Sequence, residues 1–387
     1  AARRAIKAKL DGHQVVMVVS AMGKTTDKLL ALAAEVNPNP PKRELDMLLT
    51  TGEQVSISLM AMAIEACGHQ AISFTGGQIG LVTDASHTKA RIRSIDAERI
   101  HRELDAGKIV IVAGFQGITE EGHLTTLGRG GSDTTAVALA AVLKDSICEI
   151  YTDVDGIYTT DPRIVPQARK MTEIAYDEML ELASLGAKVM HSRSIEFGKK
   201  YNVPIHVRSS LTDTEGTMIV ATTKGMEDIV VRGVTLKKDL ARVVLVGVPN
   251  RPGIASQIFA RIAQHQVVVD DIIQNIVEKA TEANIGFTTS GTDAKEAEVI
   301  AQQLCKELGI RTFEVESRLA KVSIVGVGMK THTGVAARMF GALAEAQINI
   351  QNITTSEIVI SCIVDEKDGE RAVQVLHAAF GLDKADE

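Results

Sequence analysis

The stretch "TTLGRGGSDTTAVALAAVL" (Thr125–Leu143) decides the reading of this chain. A glycine-rich turn carries Arg129; Ser132, Asp133, Thr134 and Thr135 follow, and then an apolar run begins. Gly130 and Gly131 permit positive φ and can bring backbone N–H groups forward. The run reads as a helix from Asp133 to Leu143, with Ser132 or Asp133 as its cap. Backbone donors at a helix start suit a phosphate or a carboxylate. A capped helix alone leaves Arg129 and the doubled threonine unexplained, so the stretch reads as an anion site.

Around it, up to about residue 220, short apolar strands alternate with amphipathic helices. The strand candidates are "VVMVVS" (15–20), "AISFTG" (71–76), "KIVIVAGF" (108–115), "CEIYTDV" (148–154) and "VPIHVRSS" (203–210). Helices are expected over 52–67, 96–106, 133–143 and 176–197. This alternation predicts an α/β fold of three layers, a mostly parallel sheet covered by helices on both faces. In such folds, ligands bind at the carboxyl ends of strands.

Past residue 220 an internal repeat begins. "VVLVGVPNRPGIASQIFARIAQHQVVVDDI" (243–272) and "VSIVGVGMKTHTGVAARMFGALAEAQINIQNI" (322–353) align at Gly247/Gly326, Gly253/Gly334, Phe259/Phe340 and Asp271/Asn352. Each copy reads as strand, glycine loop, helix and strand, followed by a further strand and helix. Two ferredoxin-like βαββαβ units are expected. Two copies are too few for a solenoid. The expected divisions are 1–222, 223–317 and 318–387.

Composition narrows the function. At 387 residues, two or more domains are expected. The net charge of -7 opposes nucleic-acid binding, which needs a basic face. Aromatic residues make up 3% and Trp is absent, which opposes base stacking. No uninterrupted apolar run reaches about 18 residues, so no membrane span is expected. Cys67, Cys148, Cys305 and Cys362 are scattered and form no C-x-x-C pair; they read as buried free thiols of a cytoplasmic protein. No metal-ligand spacing occurs among the histidines.

Four further stretches sit at strand ends or helix starts. "YTDVDGIYTTDPR" (151–163) places Ile164, not Glu, at the twelfth position from Asp153, so a calcium loop is rejected. It reads equally as a nucleotide loop or as a polar turn ending at Asp-Pro. "SAMGKTT" (20–26) lacks the first glycine of a P-loop, because position 18 is Val. "TTGEQVS" (50–56) puts Glu53 in a first helical turn, where a carboxylate matches the dipole. "VAGFQG" (112–117) sets glycines around Phe115. "SLGAKVMHSRS" (184–194) offers Lys188 on a helix, a position usually solvated.

In this order and spacing, these stretches resemble the amino-acid kinase family, and within it the aspartate kinases; the two terminal repeats resemble ACT domains. The resemblance covers essentially the whole chain. It implies ATP-dependent phosphorylation of the side-chain carboxylate of L-aspartate to 4-phospho-L-aspartate, at the entry to lysine, threonine and methionine synthesis. It assigns Arg129 to a substrate carboxylate and Glu53 to the substrate amino group. Phe115 and Thr26 shape the pocket, with Gly130 and Gly131 beside it. Ser20 and Ser132 stand at phosphoryl transfer, and Asp133 orients the constellation. Tyr151, Thr152, Asp153, Tyr158, Asp161 and Arg163 hold the nucleotide, and Lys188 reaches its phosphates. Magnesium bridges those phosphates, and no metal site of the protein's own is implied. The family opens with a strand bearing Lys-Phe-Gly-Gly-Thr-Ser, which this sequence does not contain; a gap in the sheet is the expected consequence.

For the ACT-like repeats, the resemblance implies feedback by lysine or threonine. The first repeat would bind through Asn250, Gly253, Ile254, Ala255 and Gln274, and the second through Gly334, Val335, Ala336, Asn349, Asn352 and Ser356. Pairing of such repeats implies a homo- or hetero-oligomer. The alternative is a regulatory subunit that senses an amino acid and does no chemistry.

Overall fold

The computed structural model of the chain describes residues 1–144, 146–187, 189–223, 230–276, 281–330 and 332–384. It divides into two compact units. The first holds 1–157, 171–183 and the described residues of 188–224; the second holds 158–170, 184–187 and the described residues of 225–387.

In chain order the first unit runs α1 (Ala2–Leu10), β1 (Val16–Val19), α2 (Thr25–Val36), α3 (Lys42–Leu49), α4 (Thr51–Glu65), β2 (Ala71–Phe74), β3 (Val82–Thr83), β4 (Ile92–Ser94), α5 (Glu98–Asp105), β5 (Ile109–Ala113), β6 (Gln116–Ile118) and β7 (Leu124–Thr126). It continues with α6 (Gly131–Leu143), β8 (Cys148–Thr152), β9 (Glu173–Ala175), α7 (Tyr176–Ser184), α8 (Ser192–Tyr201), β10 (Ile205–Ser209) and β11 (Thr217–Val220). β5, "IVIVA", is wholly buried and pairs in parallel with β1 and β2. Such an unbroken apolar run is what a strand covered on both faces requires.

The parallel strands do not form one continuous sheet. β1-β5-β2 and β8-β10-β11-β9 are separate, with β1 and β8 at their edges, while α6 packs on both of these strands. A third sheet, β4-β3-β6-β7, is largely antiparallel.

The helix expected over 176–197 is two helices. Gly186 breaks it at φ +122, and a Cβ there would lie 2.7 Å from the carbonyl oxygen of Leu236. The cap expected for α6 also differs. Gly130 caps it at φ +67, and neither Ser132 nor Asp133 does so. Of the four cysteines, Cys148 and Cys362 are buried and Cys305 partly so, but Cys67 is exposed. The span Lys42–Glu65 is long and apolar enough to cross a membrane by length and composition. It comprises α3 and α4, and its Asp46 and Glu53 are turned into the fold, at 0% and 2% exposure.

The second unit is built on β12 (Gly233–Pro249), α9 (Ile254–Gln264), β13 (Ile272–Ile276), β14 (Glu282–Ser290), α10 (Ala294–Leu308), β15 (Thr312–Val325), α11 (Val335–Glu345), β16 (Asn352–Thr355), β17 (Val359–Asp365) and α12 (Gly369–Ala379). One six-stranded sheet, in the order β13-β14-β12-β15-β17-β16, spans both repeats. Its two central strands each bend at a left-handed residue, Asp239 in β12 and Arg318 in β15. The first repeat is a complete βαββαβ unit that closes on the Thr312–Glu316 half of β15.

Among the described residues, no strand follows α12 in the second repeat. Residues 233–237 at the start of β12 supply its fourth strand, from Gly233 opposite Val325 to Lys237 opposite Lys321. The physical reason is apolarity: Val231 and Val234 join the core of Val322, Met339, Leu343, Cys362 and Leu376. The residues after Phe380, "GLDKADE", offer no apolar run. The first repeat has its own core of Val243, Ile258, Ile262, Ile285, Phe287 and Ile300.

The segment Tyr158–Lys170 belongs to this second unit. Val165 enters the second repeat's core, and Gln374 Nε2 donates to the carbonyl of Ile164 at 3.1 Å.

Candidate active site and regulatory repeats

Parallel pairing of β1 with β5 puts Val19 opposite Ala113, so the chain leaves both strands at the same edge. Gly114 N–H donates to Val19 carbonyl at 3.0 Å and brings the two exit loops together. The N-terminus of α6 arrives at the same place, where Ser20 Oγ donates to Ser132 Oγ at 2.7 Å. A side chain at Gly114 would close the approach, since its Cβ would sit 2.7 Å from Ser132 Oγ.

Phe115 adopts φ +69. Left-handed backbone at a bulky residue costs on the order of 1–3 kcal/mol and marks functional sites. Gly131 makes room for it: a Cβ there would lie 2.9 Å from the ring.

α4 adds a buried acid. Glu53 Oε1 accepts from Ala21 N–H at 3.0 Å, and Oε2 is buried without a hydrogen-bond partner. Burial raises the carboxyl above its ordinary value; the Ala21 hydrogen bond opposes this. Gly52 sets the helix against the first loop, because a Cβ there would lie 2.9 Å from that of Ala21. Thr26, half-buried, is in the first turn of α2 beyond that loop. A buried carboxylate with one unfilled oxygen is poised for a cation or a donor.

The structure thus unites Ser20, Glu53, Phe115, Gly131 and Ser132. Arg129 is exposed at the mouth of the glycine loop and, among the described residues, forms no ion pair. Asp133 lies in the first turn of α6; burial raises its carboxyl, and His191 opposes this.

Sequence reasoning missed His191 and Arg193. A Cβ at Gly130 would collide with that of His191, so the glycine loop lies directly under the start of α8. Arg193 fixes that start by donating to the carbonyls of Leu127 at 2.8 Å and Ala90 at 2.9 Å. Asp46 was missed too. Wholly buried, it accepts from Thr126 Oγ1 at 2.6 Å and Thr88 N–H at 3.0 Å, with His87 Nδ1 at 2.8 Å. It anchors the strand leading into the glycine loop.

The residues expected at the nucleotide fall in both units. Tyr151, Thr152 and Asp153 lie at and beyond the end of β8 in the first. Tyr151 hydroxyl donates to Glu149 at 2.8 Å under the Arg4 guanidinium, and burial pushes its pKa up to about 12. Thr152 Oγ1 donates to Asp153 at 3.0 Å. Tyr158, Asp161 and Arg163 belong to the second unit, where Arg163 forks onto Asp161 at 2.7 and 3.0 Å. Lys188 lies outside the described residues.

In the regulatory repeats, Gly253 and Gly334 cap α9 and α11 at φ +86 and +89, each open to space where a Cβ would be. Ile254 and Val335 open the two helices and are buried, and Ala255 and Ala336 come next. Asn250 follows β12, Gln274 lies on β13, and Asn349 and Asn352 flank the entry to β16. Ser356 ends that strand's turn, its N–H donating to Val359 carbonyl at 2.8 Å.

Residues 1–209 match the model of the Amino acid kinase family, and residues 242–309 and 322–380 each match an ACT domain. The fold and site therefore define an amino acid kinase with a paired ACT regulatory part. Over 381 residues the chain is 51% identical to the aspartokinase of Bacillus sp. (strain MGA3), covering 98% of this chain and 92% of that one. E. coli aspartokinase III in complex with aspartate and ADP is similar at 30% identity and TM-score 0.74, covering 91% of this chain and 79% of that one. The same enzyme in complex with lysine and aspartate is similar at 27% identity and TM-score 0.78, with coverage of 98% and 96%. The chain belongs to the aspartokinase family.

Proposed function

We propose that this chain transfers the γ-phosphoryl group of ATP to the side-chain carboxylate of L-aspartate, giving 4-phospho-L-aspartate and ADP. The observation that carries this reading is the meeting of Ser20, Ser132 and half-paired Glu53 at one strand edge. The acceptor carboxylate is ionised at neutral pH, so no general base is required. Catalysis then reduces to alignment and stabilisation of the moving charge.

Glu53 Oε2 takes the substrate ammonium. Arg129 takes the α-carboxylate as a fork. Ser20, Ser132 and the N–H groups of the glycine loop face the transferred phosphoryl, while Asp133 orients them. Thr26 and Phe115 bound the substrate pocket; Tyr151, Thr152, Asp153, Tyr158, Asp161, Arg163 and Lys188 serve the nucleotide.

Magnesium would arrive on the ATP phosphates and neutralise their charge. Among the described residues, no cluster of three His, Cys, Asp or Glu side chains gathers as a metal cage. Asp133, which accepts no hydrogen bond among the described residues, is the carboxylate at this loop that would face the magnesium.

The ACT repeats sense an end-product amino acid, lysine or threonine, through the loops at Asn250–Ala255 and Gly334–Ala336 and the strands bearing Gln274, Asn349, Asn352 and Ser356. The chain works in the cytoplasm as an oligomer paired through those repeats. A sensor without chemistry is disfavoured by the assembled serine pair and the buried acid.

The test is ADP release from the chain with aspartate, glutamate or no acceptor. Release that depends on aspartate is expected. Release unaffected by aspartate would remove the assignment.

A further inference from the structure

Gln116, the residue after Phe115 in "VAGFQG", opens β6 and is wholly buried. Its Nε2 donates to the carbonyl of Thr50 at 3.0 Å, across 66 residues of chain. Its Oε1 is buried without a hydrogen-bond partner.

Thr50 is the joint between α3 and α4. It stays in the right-handed helical region, at φ -62 and ψ -17, so the helices follow each other with no loop between them. Its carbonyl also accepts from Gln54 N–H, at 3.4 Å. That is longer than the roughly 2.9–3.0 Å usual for such a bond. The Gln116 amide therefore enters the helical ladder where the ladder is stretched. A side chain inserted into this ladder is one of the few causes of a change in helix direction. Gln116 thus sets the direction in which α4 leaves Thr50, and Glu53 stands three residues further on.

The strand side of this bond is held firmly. Gln116 pairs with Thr126 across β6 and β7, so both side chains leave the same face of the sheet. Thr126 Oγ1 donates to Asp46 at 2.6 Å, and Asp46 lies one helical turn before Thr50. The sheet grips α3 by two rungs, at Asp46 and at Thr50. Gly76 closes on the Gln116 backbone, since a Cβ there would lie 2.3 Å from the Gln116 carbonyl oxygen. On the helix side, Glu53 Oε1 accepts from Ala21 N–H at 3.0 Å, so any turn of α4 about Thr50 moves the acid against the first loop.

Stability alone does not account for a glutamine here. A buried acceptor without a partner is costly. Methionine has nearly the same length, adapts to its surroundings and carries no group that demands a partner. It would also leave the Thr50 carbonyl its bond from Gln54. We propose that Gln116 is a positioning residue for the acceptor: by holding the Thr50 joint, it aims Glu53 at the substrate ammonium. It does so from the same turn whose Phe115 bounds the pocket. The inference rests on the reading of Glu53 in the proposed function, and it joins the ammonium-binding acid and the pocket wall into one mechanical unit.

The test is equilibrium titration of the full chain with L-aspartate, carried to high-millimolar concentration in the presence of ADP and magnesium. Gln116→Met, Glu53→Gln and the double variant are compared with the parent. Gln116→Met should weaken aspartate binding by about fivefold or more, leave the Kd for ADP within about twofold, and melt no lower than the parent. In the Glu53→Gln background the same substitution should change the aspartate Kd by less than about twofold, because its effect passes through Glu53. Four results would each overturn the assignment: an unchanged aspartate Kd in Gln116→Met, an equal loss of ADP binding, the full loss repeated in the Glu53→Gln background, or a variant that melts lower or fails to fold. Aspartate-dependent ADP release by the parent tests the reading of the site separately. Such release beside an unchanged Kd in Gln116→Met would keep the site and remove the role of Gln116.

Discussion

Ser20 and Ser132 stand 112 residues apart in the chain, and their hydroxyls meet at 2.7 Å where β1 ends and α6 begins. Ser20 donates to Ser132, which leaves the Ser132 hydroxyl free to donate to an oxyanion. Losing a preorganised donor of this kind costs about 10²–10³ in kcat. Ser132→Ala should therefore lower kcat by about 10² with little change in the KM for ATP, measured by steady-state kinetics at saturating aspartate. Ser20→Ala should do the same, and the double variant should be less than additive, because the pair acts as one unit.

Arg129 is exposed and forms no ion pair among the described residues, so its guanidinium is available to a ligand. A charge-assisted hydrogen bond contributes about 1.5–3 kcal/mol, which is roughly 10- to 100-fold. Arg129→Ala should raise the KM for aspartate by that factor and leave ATP affinity, read by equilibrium binding, within about twofold. Arg129→Lys should recover only part, because an ammonium cannot make the planar fork.

Glu53 gives a test that separates stability from function. Burial raises its carboxyl, so the folded state holds this proton more tightly than the unfolded chain does. This contribution to stability is complete below the unfolded value of about 4.5 and is lost as pH rises through the raised folded value. Glu53→Gln removes that loss and keeps an acceptor for Ala21 N–H. The variant should melt higher than the parent at pH 7, with the difference vanishing below about pH 4.5. Its KM for aspartate should rise by about 10-fold or more, because a neutral amide no longer pairs with the ammonium.

The order of the elements around this site was legible because it is local. Strand-end loops, the glycine turn and the repeated "VGV" motifs each lie within about thirty residues. Contacts across long separations were not legible. Nothing near Asp46 announces Thr126 or His87, which lie 80 and 41 residues away. Nothing near Gly130 announces His191. The fourth strand of the second repeat was not located because "VRGVTL" lies before the first repeat, and chain order gives no sign that it pairs with the second. The break in the helix expected over 176–197 depends on Leu236, a tertiary neighbour that helical periodicity does not see.

Within the second unit, Thr159 Oγ1 lies 2.9 Å from His377 Nε2, both buried. Burial holds the imidazole below its ordinary value, with Asp383 opposing. A depressed histidine costs nothing above the unfolded value of about 6.5; stability falls as pH drops below that value, until the folded group protonates. Melting of the parent should therefore fall between pH 7 and 5 more steeply than that of His377→Gln. Thr159→Val, which leaves the ring nitrogen unpaired, should cost about 1–3 kcal/mol at pH 7 by denaturant unfolding.

The most direct measurement of the central claim is to trap the product. The chain is incubated with ATP, magnesium, L-aspartate and hydroxylamine, and the hydroxamate is identified by mass spectrometry. The account predicts aspartate hydroxamate formed at the side-chain carboxylate, dependent on ATP and reduced about 10²-fold by Ser132→Ala. Hydroxamate at the α-carboxylate, or none above the no-enzyme control, would contradict it.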